Sequence, residues 1–188
     1  NLLTSTSAAA GTVFKCDGGE GYDSLYADFG IQTQPIIWDQ SNPVDITFPD
    51  GSYIRNIEHL VHFYAGSGND VFTLRGREDT MINLLAGNDV IQPGLGFDTV
   101  RGGTGEDFII MDYSEGDDAD TSGVIYENAV SPARFERRRL SDNVIIDRLV
   151  ILECERMSCT GTGKNDKITG LNGNDVILSG AGNDVVDG

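Results

Sequence analysis

The sequence predicts an all-β solenoid, a parallel roll of short stacked strands, and three observations carry that expectation. Aspartates recur at a nearly fixed interval. Asp70, Asp79, Asp89, Asp98 and Asp107 lie 9, 10, 9 and 9 residues apart, and Asp166, Asp175 and Asp184 lie 9 and 9 apart. Two residues after each of these anchors, and after the isolated Asp23, stands an apolar residue: Leu25, Phe72, Met81, Ile91, Val100, Ile109, Ile168, Ile177 and Val186. Two residues before them glycine occupies seven of nine positions, Arg77 and Lys164 being the exceptions.

Each part of the nine-residue unit has a physical reading. A Gly-rich loop of six residues reaches the positive φ angles that turn a chain sharply and expose its carbonyls. The three residues after the aspartate form a short strand whose central side chain points inward, because strand side chains alternate. One such unit cannot bury its single apolar residue alone, but stacked units can. Two units make a coil of 18 residues, so loops 18 apart lie on the same side of the stack.

The charge balance narrows the chemistry. The chain has 30 Asp plus Glu against 13 Lys plus Arg, a net charge of −17, which argues against nucleic acid or an anionic membrane as partner. Its apolar fraction of 39% exceeds that of a disordered acidic tail. Anchor carboxylates on stacked strands ~4.8 Å apart would repel by about 3 kcal/mol at an effective dielectric of ~20. Several such pairs rival a domain's stability of ~5–15 kcal/mol, so the fold requires a cation. Carbonyl-rich, irregular loops suit calcium, with oxygen ligands at ~2.4 Å, better than magnesium. Zinc does not fit loops without His or Cys. No apolar run is long enough for a membrane-spanning helix.

GGEGYDSLY (18–26), AGSGNDVFT (65–73), PGLGFDTVR (93–101), GGTGEDFII (102–110) and SGAGNDVVD (179–187) resemble the hemolysin-type, or RTX, repeat GGxGxDxUx. The resemblance implies a right-handed parallel β-roll (β-helix) holding several Ca2+ ions in its turns. It implies metal ligands from Asp23, Asp70, Asp79, Asp89, Asp98, Asp107, Asp166, Asp175 and Asp184. The carbonyl-bearing loop glycines would be Gly66, Gly68, Gly87, Gly94, Gly96, Gly103, Gly105, Gly161, Gly163, Gly173, Gly180 and Gly182. Ions would be shared between loops 65–70 and 84–89, 74–79 and 93–98, 84–89 and 102–107, and 161–166 and 179–184. Asp175 would need a partner beyond Gly188. Arg75 and Arg77 stand in glycine positions and Asn83 adds a residue, so the site using Asp79 is expected to be weak or empty.

Two longer stretches interrupt the repeats. YDSLYADFG (22–30) aligns with EDFIIMDYS (106–114), pairing Asp28 with Asp112, and residues 54–70 correspond to 149–166. The chain therefore divides into two related units of one continuous solenoid. Unit 1–101 comprises repeat 18–26, insertion 27–64 and array 65–101. Unit 102–188 comprises repeat 102–110, insertion 111–160 and array 161–188. ITF (46–48), VIY (124–126) and VII (144–146) are expected to be strands extending the roll. PARFERRRL (132–140), with Arg134 and Arg137 to Arg139, is expected as a solvated loop or short helix paired with nearby acids. Its alternatives are a contact with an acidic partner or polysaccharide, or a processing site.

Catalytic patterns are missing. HLVH (59–62) lacks the glutamate of HExxH, GTGK (161–164) continues as a calcium repeat rather than a P-loop, and GxSxG does not occur. Cys16, Cys154 and Cys159 fit no zinc spacing, leaving buried thiols, a Cys154–Cys159 bridge, or Cys16 paired with either one or with another chain. A glycosidase would need two carboxylates in a cleft, and ice binding would need a threonine row that is not present. The expected function is a non-enzymatic structural or adhesive calcium-binding module of a secreted or cell-surface protein. It would stack end to end with its own copies or further repeats, through residues 1–16 and the C-terminal coil, or meet an extracellular polysaccharide. The alternative is a calcium-triggered folding and secretion module of a larger exported enzyme or toxin.

Overall fold

A computed structural model describes residues 1–4, 13–40, 45–114, 118–127 and 132–188. Among these residues every regular element is a strand, and no helix is long and apolar enough to cross a membrane. Two sheets face one another. The larger runs, in spatial order, through β1 (Leu2–Thr4), β3 (Ser24–Asp28), β7 (His59–Tyr64), β9 (Met81–Asn83), β11 (Phe97–Arg101), β15 (Ile145–Leu152), β14 (Ala133–Arg138), β13 (Ile125–Glu127), β17 (Lys167–Thr169) and β19 (Val185–Asp187). The smaller runs through β18 (Val176–Leu178), β16 (Arg156–Thr160), β12 (Phe108–Asp112), β10 (Val90–Gln92), β8 (Val71–Thr73) and β4 (Ile37–Asp39). A third sheet of β2 (Lys15–Asp17), β6 (Tyr53–Arg55) and β5 (Asp45–Thr47) adds a face at one end.

From β7 to β12 the chain alternates between the two large sheets, so each coil contributes one strand to each face of a parallel β-roll. The coil period is visible in the registers Val90↔Phe108, Met81↔Thr99, Ser158↔Val176 and Lys167↔Val185, each 18 residues apart. Inward side chains stack on their counterparts one coil away. On one face Trp38, Phe72, Ile91, Ile109 and Met157 lie in register and are all buried. On the other, Phe63, Ile82, Val100 and Ile151 do the same. Each such side chain contributes about 1.5–3 kcal/mol by leaving water. Phe29 ties the third sheet to this core, stacking on Phe63 (5.5 Å) and Phe48 (5.3 Å).

The inward residue at the second array position departs from expectation in one place. Met81 is 46% exposed, and Ile82 fills the core slot instead. The residue that lengthens this interval is therefore absorbed before Ile82, in the loop, and not at Asn83. A one-residue slip turns a strand's side chains to the opposite face, which is why Met81 faces out. Val186, on edge strand β19, is also exposed, and Ile177 is only half-buried.

The insertions are strands too. VIY and VII fall in β13 and β15, but ITF falls in β5, which belongs to the small third sheet and extends neither large one. The arginine-rich segment is neither loop nor helix. It is β14, antiparallel to both β13 and β15, and this ribbon separates β15 from β17 on one face only, since β16 pairs directly with β18 on the other. Arg137 points inward beside Phe135 because its cross-strand partner is Asp147, an opposite-charge pair of the kind that stabilises sheets. Arg137 is fully buried, whereas Arg138 and Arg139 are partly exposed.

Candidate metal sites in the stacked loops

The loops that turn the chain into each sheet pile up in two columns, one at the entry to each large sheet. At the entry to the smaller sheet, the Asp70 N–H donates to Asp89 Oδ1 (2.7 Å) and the Asp89 N–H donates to Asp107 Oδ1 (3.0 Å). At the entry to the larger sheet, the Asp166 N–H donates in the same way to Asp184 Oδ1 (3.0 Å). This rung, from one anchor amide to the next coil's carboxylate, brings together three of the expected loop pairs: 65–70 with 84–89, 84–89 with 102–107, and 161–166 with 179–184.

Glycine is required where the loops touch. Gly105 has φ 136° and a Cβ there would overlap the Gly87 carbonyl oxygen. Gly87, at φ 139°, stands in the same way against the Gly68 carbonyl, and Gly182, at φ 135°, against that of Lys164. The close approach leaves carbonyl oxygens crowded beside anchor carboxylates. Among the described residues no three His, Cys, Asp or Glu side chains converge. A cation in these loops would need backbone carbonyls beside carboxylates from adjacent coils, a donor set that calcium tolerates.

The carboxylates differ in how far the protein satisfies them. Asp89 and Asp107 are each 1% exposed, and the Oδ2 atom of each has no hydrogen-bond partner. Burial first, then the neighbouring Asp70 and Asp107 charges, pushes the Asp89 carboxyl up to about 7. Asp107 is raised by burial and then by Glu155. A buried carboxylate oxygen without a partner costs several kcal/mol unless a cation meets it. Asp70 and Asp166 are better served. Asp70 accepts from the Ile36 N–H (2.7 Å) and the Gly66 N–H (3.3 Å). Asp166 accepts from the Val124 N–H (2.6 Å), the Thr162 N–H (2.9 Å) and the Thr162 hydroxyl (3.0 Å).

The pair 74–79 with 93–98 does not form the same rung. Here the Thr80 N–H donates to Asp98 Oδ1 (2.9 Å), so Thr80 holds the anchor slot and Asp79 lies one residue early. Asp79 is exposed and its Oδ1 accepts from the Phe97 N–H (3.0 Å). The reason is in the turn: arginine disfavours the left-handed region that Gly94 and Gly96 adopt, and the left-handed residue moves to Gly76 (φ 89°). Positive charge reaches this coil from the chain itself. Arg77 pairs with Asp147 (2.6 Å), and the buried Arg137 donates to the other oxygen of Asp147 through Nη2 (2.6 Å) and Nε (2.9 Å). Asp147 Oδ1 also accepts the Gly96 N–H (3.1 Å), docking the network onto the 93–98 loop. Burial, then the charges of Asp79, Asp147 and Glu78, raises Asp98 to about 8.

Asp175 has a partner within the chain. Its Oδ1 accepts the Met157 N–H (2.8 Å), and the Gly173 N–H donates to the Glu155 carbonyl (2.7 Å), so loop 170–175 lies on the turn 153–155. Glu58, in the NIE segment (56–58) that resembles the lead into such arrays, and Glu155 are not among the expected ligands, yet they receive the amides of Asp23 and Asp107. Their signal was the correspondence of 54–70 with 149–166, which brings these glutamates within one position of each other.

The other groups are structural. His59 Nδ1 lies 3.3 Å from the Ser24 hydroxyl, and His62 packs between Tyr26 (4.7 Å) and Tyr64 (4.8 Å). Cys16, Cys154 and Cys159 are free and buried, with no Cys154–Cys159 bridge. Burial is the first cause that lifts both Cys154 and Cys159 to about 12.

A family model for the RTX calcium-binding nonapeptide repeat matches the chain in four copies, over residues 83–110 and 160–188. These matches cover under a third of the 188 residues and leave out loop 18–23 and turns 56–58 and 153–155. Comparison with curated proteins gives no significant match. The repeats and the parallel coils together make this a calcium-binding β-roll module.

Proposed function

We propose that this RTX-repeat β-roll is a non-catalytic structural or adhesive module of a secreted or cell-surface protein, folded and stiffened by calcium. The observation that carries this is the pair of buried, unpartnered oxygens, Asp89 Oδ2 and Asp107 Oδ2, on loops joined by an anchor rung. Calcium would be held there by both carboxylates and by carbonyls of 84–89 and 102–107. A second set would come from Asp166, Asp184 and the carbonyls of 161–166 and 179–184. The coil at 74–80 relies on Arg77 and Arg137 and takes little part. Bound calcium would neutralise the clustered charge, and the side chains and carbonyls would hold the loops in register. The two units split at 101/102 would then be successive blocks of one calcium-dependent stack.

End-to-end stacking is supported by the exposed apolar side chains of β18 and β19, Val176, Leu178, Val185 and Val186, on strands at the edges of their sheets. The corresponding contact through residues 1–16 falls partly on 5–12, outside the described residues. The test is circular dichroism in excess chelator. Strand signal should fall and return on adding calcium, and a spectrum indifferent to calcium would rule the proposal out.

A further inference from the structure

The two large faces of the roll turn different apolar side chains to the surface. On the smaller sheet the exposed ones are aliphatic: Ile37, Val71, Val176 and Leu178. The exposed aromatic residues among those described are Tyr22, Tyr26 and Phe97, and all three lie on the larger sheet or in the loop that enters it. Strand alternation puts them there. In β3 the buried Leu25 and Ala27 flank the outward Tyr26. In register with Tyr26 stand His62 of β7, Met81 of β9 and Thr99 of β11.

Tyr26 and Tyr64 bracket His62, with ring centres at 4.7 and 4.8 Å from it, and Tyr22 lies 6.4 Å from the His59 ring. Five rings therefore share two adjacent strands and the loop before them, and the exposed Met81 continues the surface. Over β3, β7, β9 and β11, at ~4.8 Å per strand, it runs for about 14 Å. Hydrogen-bonding groups lie among the rings. The Ser24 hydroxyl is 3.3 Å from His59 Nδ1, and the Tyr22 hydroxyl donates to Glu78 Oε1 (2.9 Å).

A contiguous apolar patch rimmed by polar groups marks a binding surface. Flat rings with donors and acceptors at their edges match a sugar, which offers a C–H face bordered by hydroxyls. An open sheet face, unlike a closed pocket, suits a linear chain laid across several strands. Charge narrows the choice further. The carboxylates of Asp28, Glu78 and the exposed Asp79 border the rings on a chain of net charge −17, which repels an anionic polymer. Farther along the sheet, Arg148 is committed to Glu136 (2.7 Å) and Arg101 to Glu153 (3.5 Å).

We infer that this face, centred on Tyr26, His62 and Tyr64, binds a neutral polysaccharide. Its sugar rings stack on the aromatic side chains, and its hydroxyls meet Tyr22, His59 and Glu78. The inference rests on the adhesive function proposed above and names the class of its partner. Because the rings come from separate coils, only the folded roll brings them together.

Affinity electrophoresis of the full chain in saturating calcium tests this, with laminarin, hydroxyethylcellulose or galactomannan in the gel and alginate as the anionic counterpart. At least one neutral polymer should retard the wild-type chain, and alginate should not. Tyr26→Ala and Tyr22→Ala should each weaken that binding about tenfold, the share of one stacked ring. Ile37→Ala, on the smaller sheet, should leave it unchanged. Should Tyr26→Ala not fold, Tyr22→Ala decides, since Tyr22 is 53% exposed. Retardation by no polymer, retardation by alginate as strong as by any neutral one, or equal retardation of all variants overturns the inference and leaves the calcium module standing. A dimer in sedimentation that Tyr26→Ala disperses also overturns it, because the face would then join copies of the chain. A strand signal indifferent to calcium overturns the proposed function itself.

Discussion

Loop pair 84–89 with 102–107 and loop pair 74–80 with 93–98 stand one half-coil apart and carry nearly the same spacing of aspartates. In the first, aspartates occupy both anchor slots and two buried carboxylate oxygens lack partners. In the second, Thr80 occupies one slot, Asp79 faces water, and the buried Asp147 is met by two guanidinium groups. A coil of this roll can thus obtain positive charge from outside or from its own arginines. The spacing of aspartates does not decide which; the backbone freedom of two glycine positions does. Arg75 and Arg77 displace the turn, the displaced turn moves the anchor, and the anchor moves Met81 to the surface.

The largest effect expected is at the internally charged coil. Arg137→Met would leave Asp147 buried without its main partner, a loss of about 3–5 kcal/mol. Urea unfolding in saturating calcium should show this drop; an unchanged midpoint would erase the distinction between the two regions.

Ligand substitutions come next. Asp89→Asn should weaken calcium binding about tenfold or more, as expected for losing a charged interaction of about 1.5–3 kcal/mol. Asp79→Asn should change it by less than about twofold, since an exposed side chain outside the anchor slot contributes little. Titration calorimetry giving equal losses would place Asp79 in a working site after all.

Gly105→Ala sharpens the comparison at the backbone. It forces a side chain into the left-handed region and onto the Gly87 carbonyl, and should destabilise the fold by about 1–3 kcal/mol. Asp79→Gly, at an exposed position, should be close to neutral in the same thermal melts.

The smallest effect concerns pH. Asp89 and Asp98 have folded-state values raised to about 7 and about 8, mainly by burial. Their contribution to the stability of the calcium-free protein is full below the ordinary carboxylate range near 4. It is lost as pH rises through those raised values. Chelated protein should therefore keep more strand signal at pH 5 than at pH 8. In calcium the trend should reverse, because protons compete with the ion at Asp89. Strand signal that rises with pH in chelator would contradict the burial of these carboxylates.

Much of this molecule was legible as a pattern. The aspartate period, the glycine two residues before and the apolar residue two after predicted the coil, its 18-residue repeat and most of the inward side chains. Arg75, Arg77 and a ten-residue interval mark the Asp79 loop as irregular, but the interval alone does not say where its extra residue resides. Asn83 and the Asp79–Thr80 step fit the spacing equally, and only hydrogen bonding to Asp98 selects the latter. Charged residues rarely sit inside a sheet without partners, so the arginine segment by itself reads as surface. Asp147, ten residues from Arg137, supplies one through strand pairing that local sequence does not display.

The sequence by itself determined the periodic part: glycine where the chain must turn left-handed, aspartate where loops stack, and one apolar residue per strand. These are local requirements, written at constant spacing. Tertiary structure decided what depends on neighbours from distant coils. It set which loops meet, that β13 and β14 wedge into one face only, that Glu58 and Glu155 receive the amides of Asp23 and Asp107, and that Arg77 and Arg137 converge on Asp147. Those outcomes turn on register between strands up to about fifty residues apart, and register is fixed by packing of whole coils rather than by any nine residues alone.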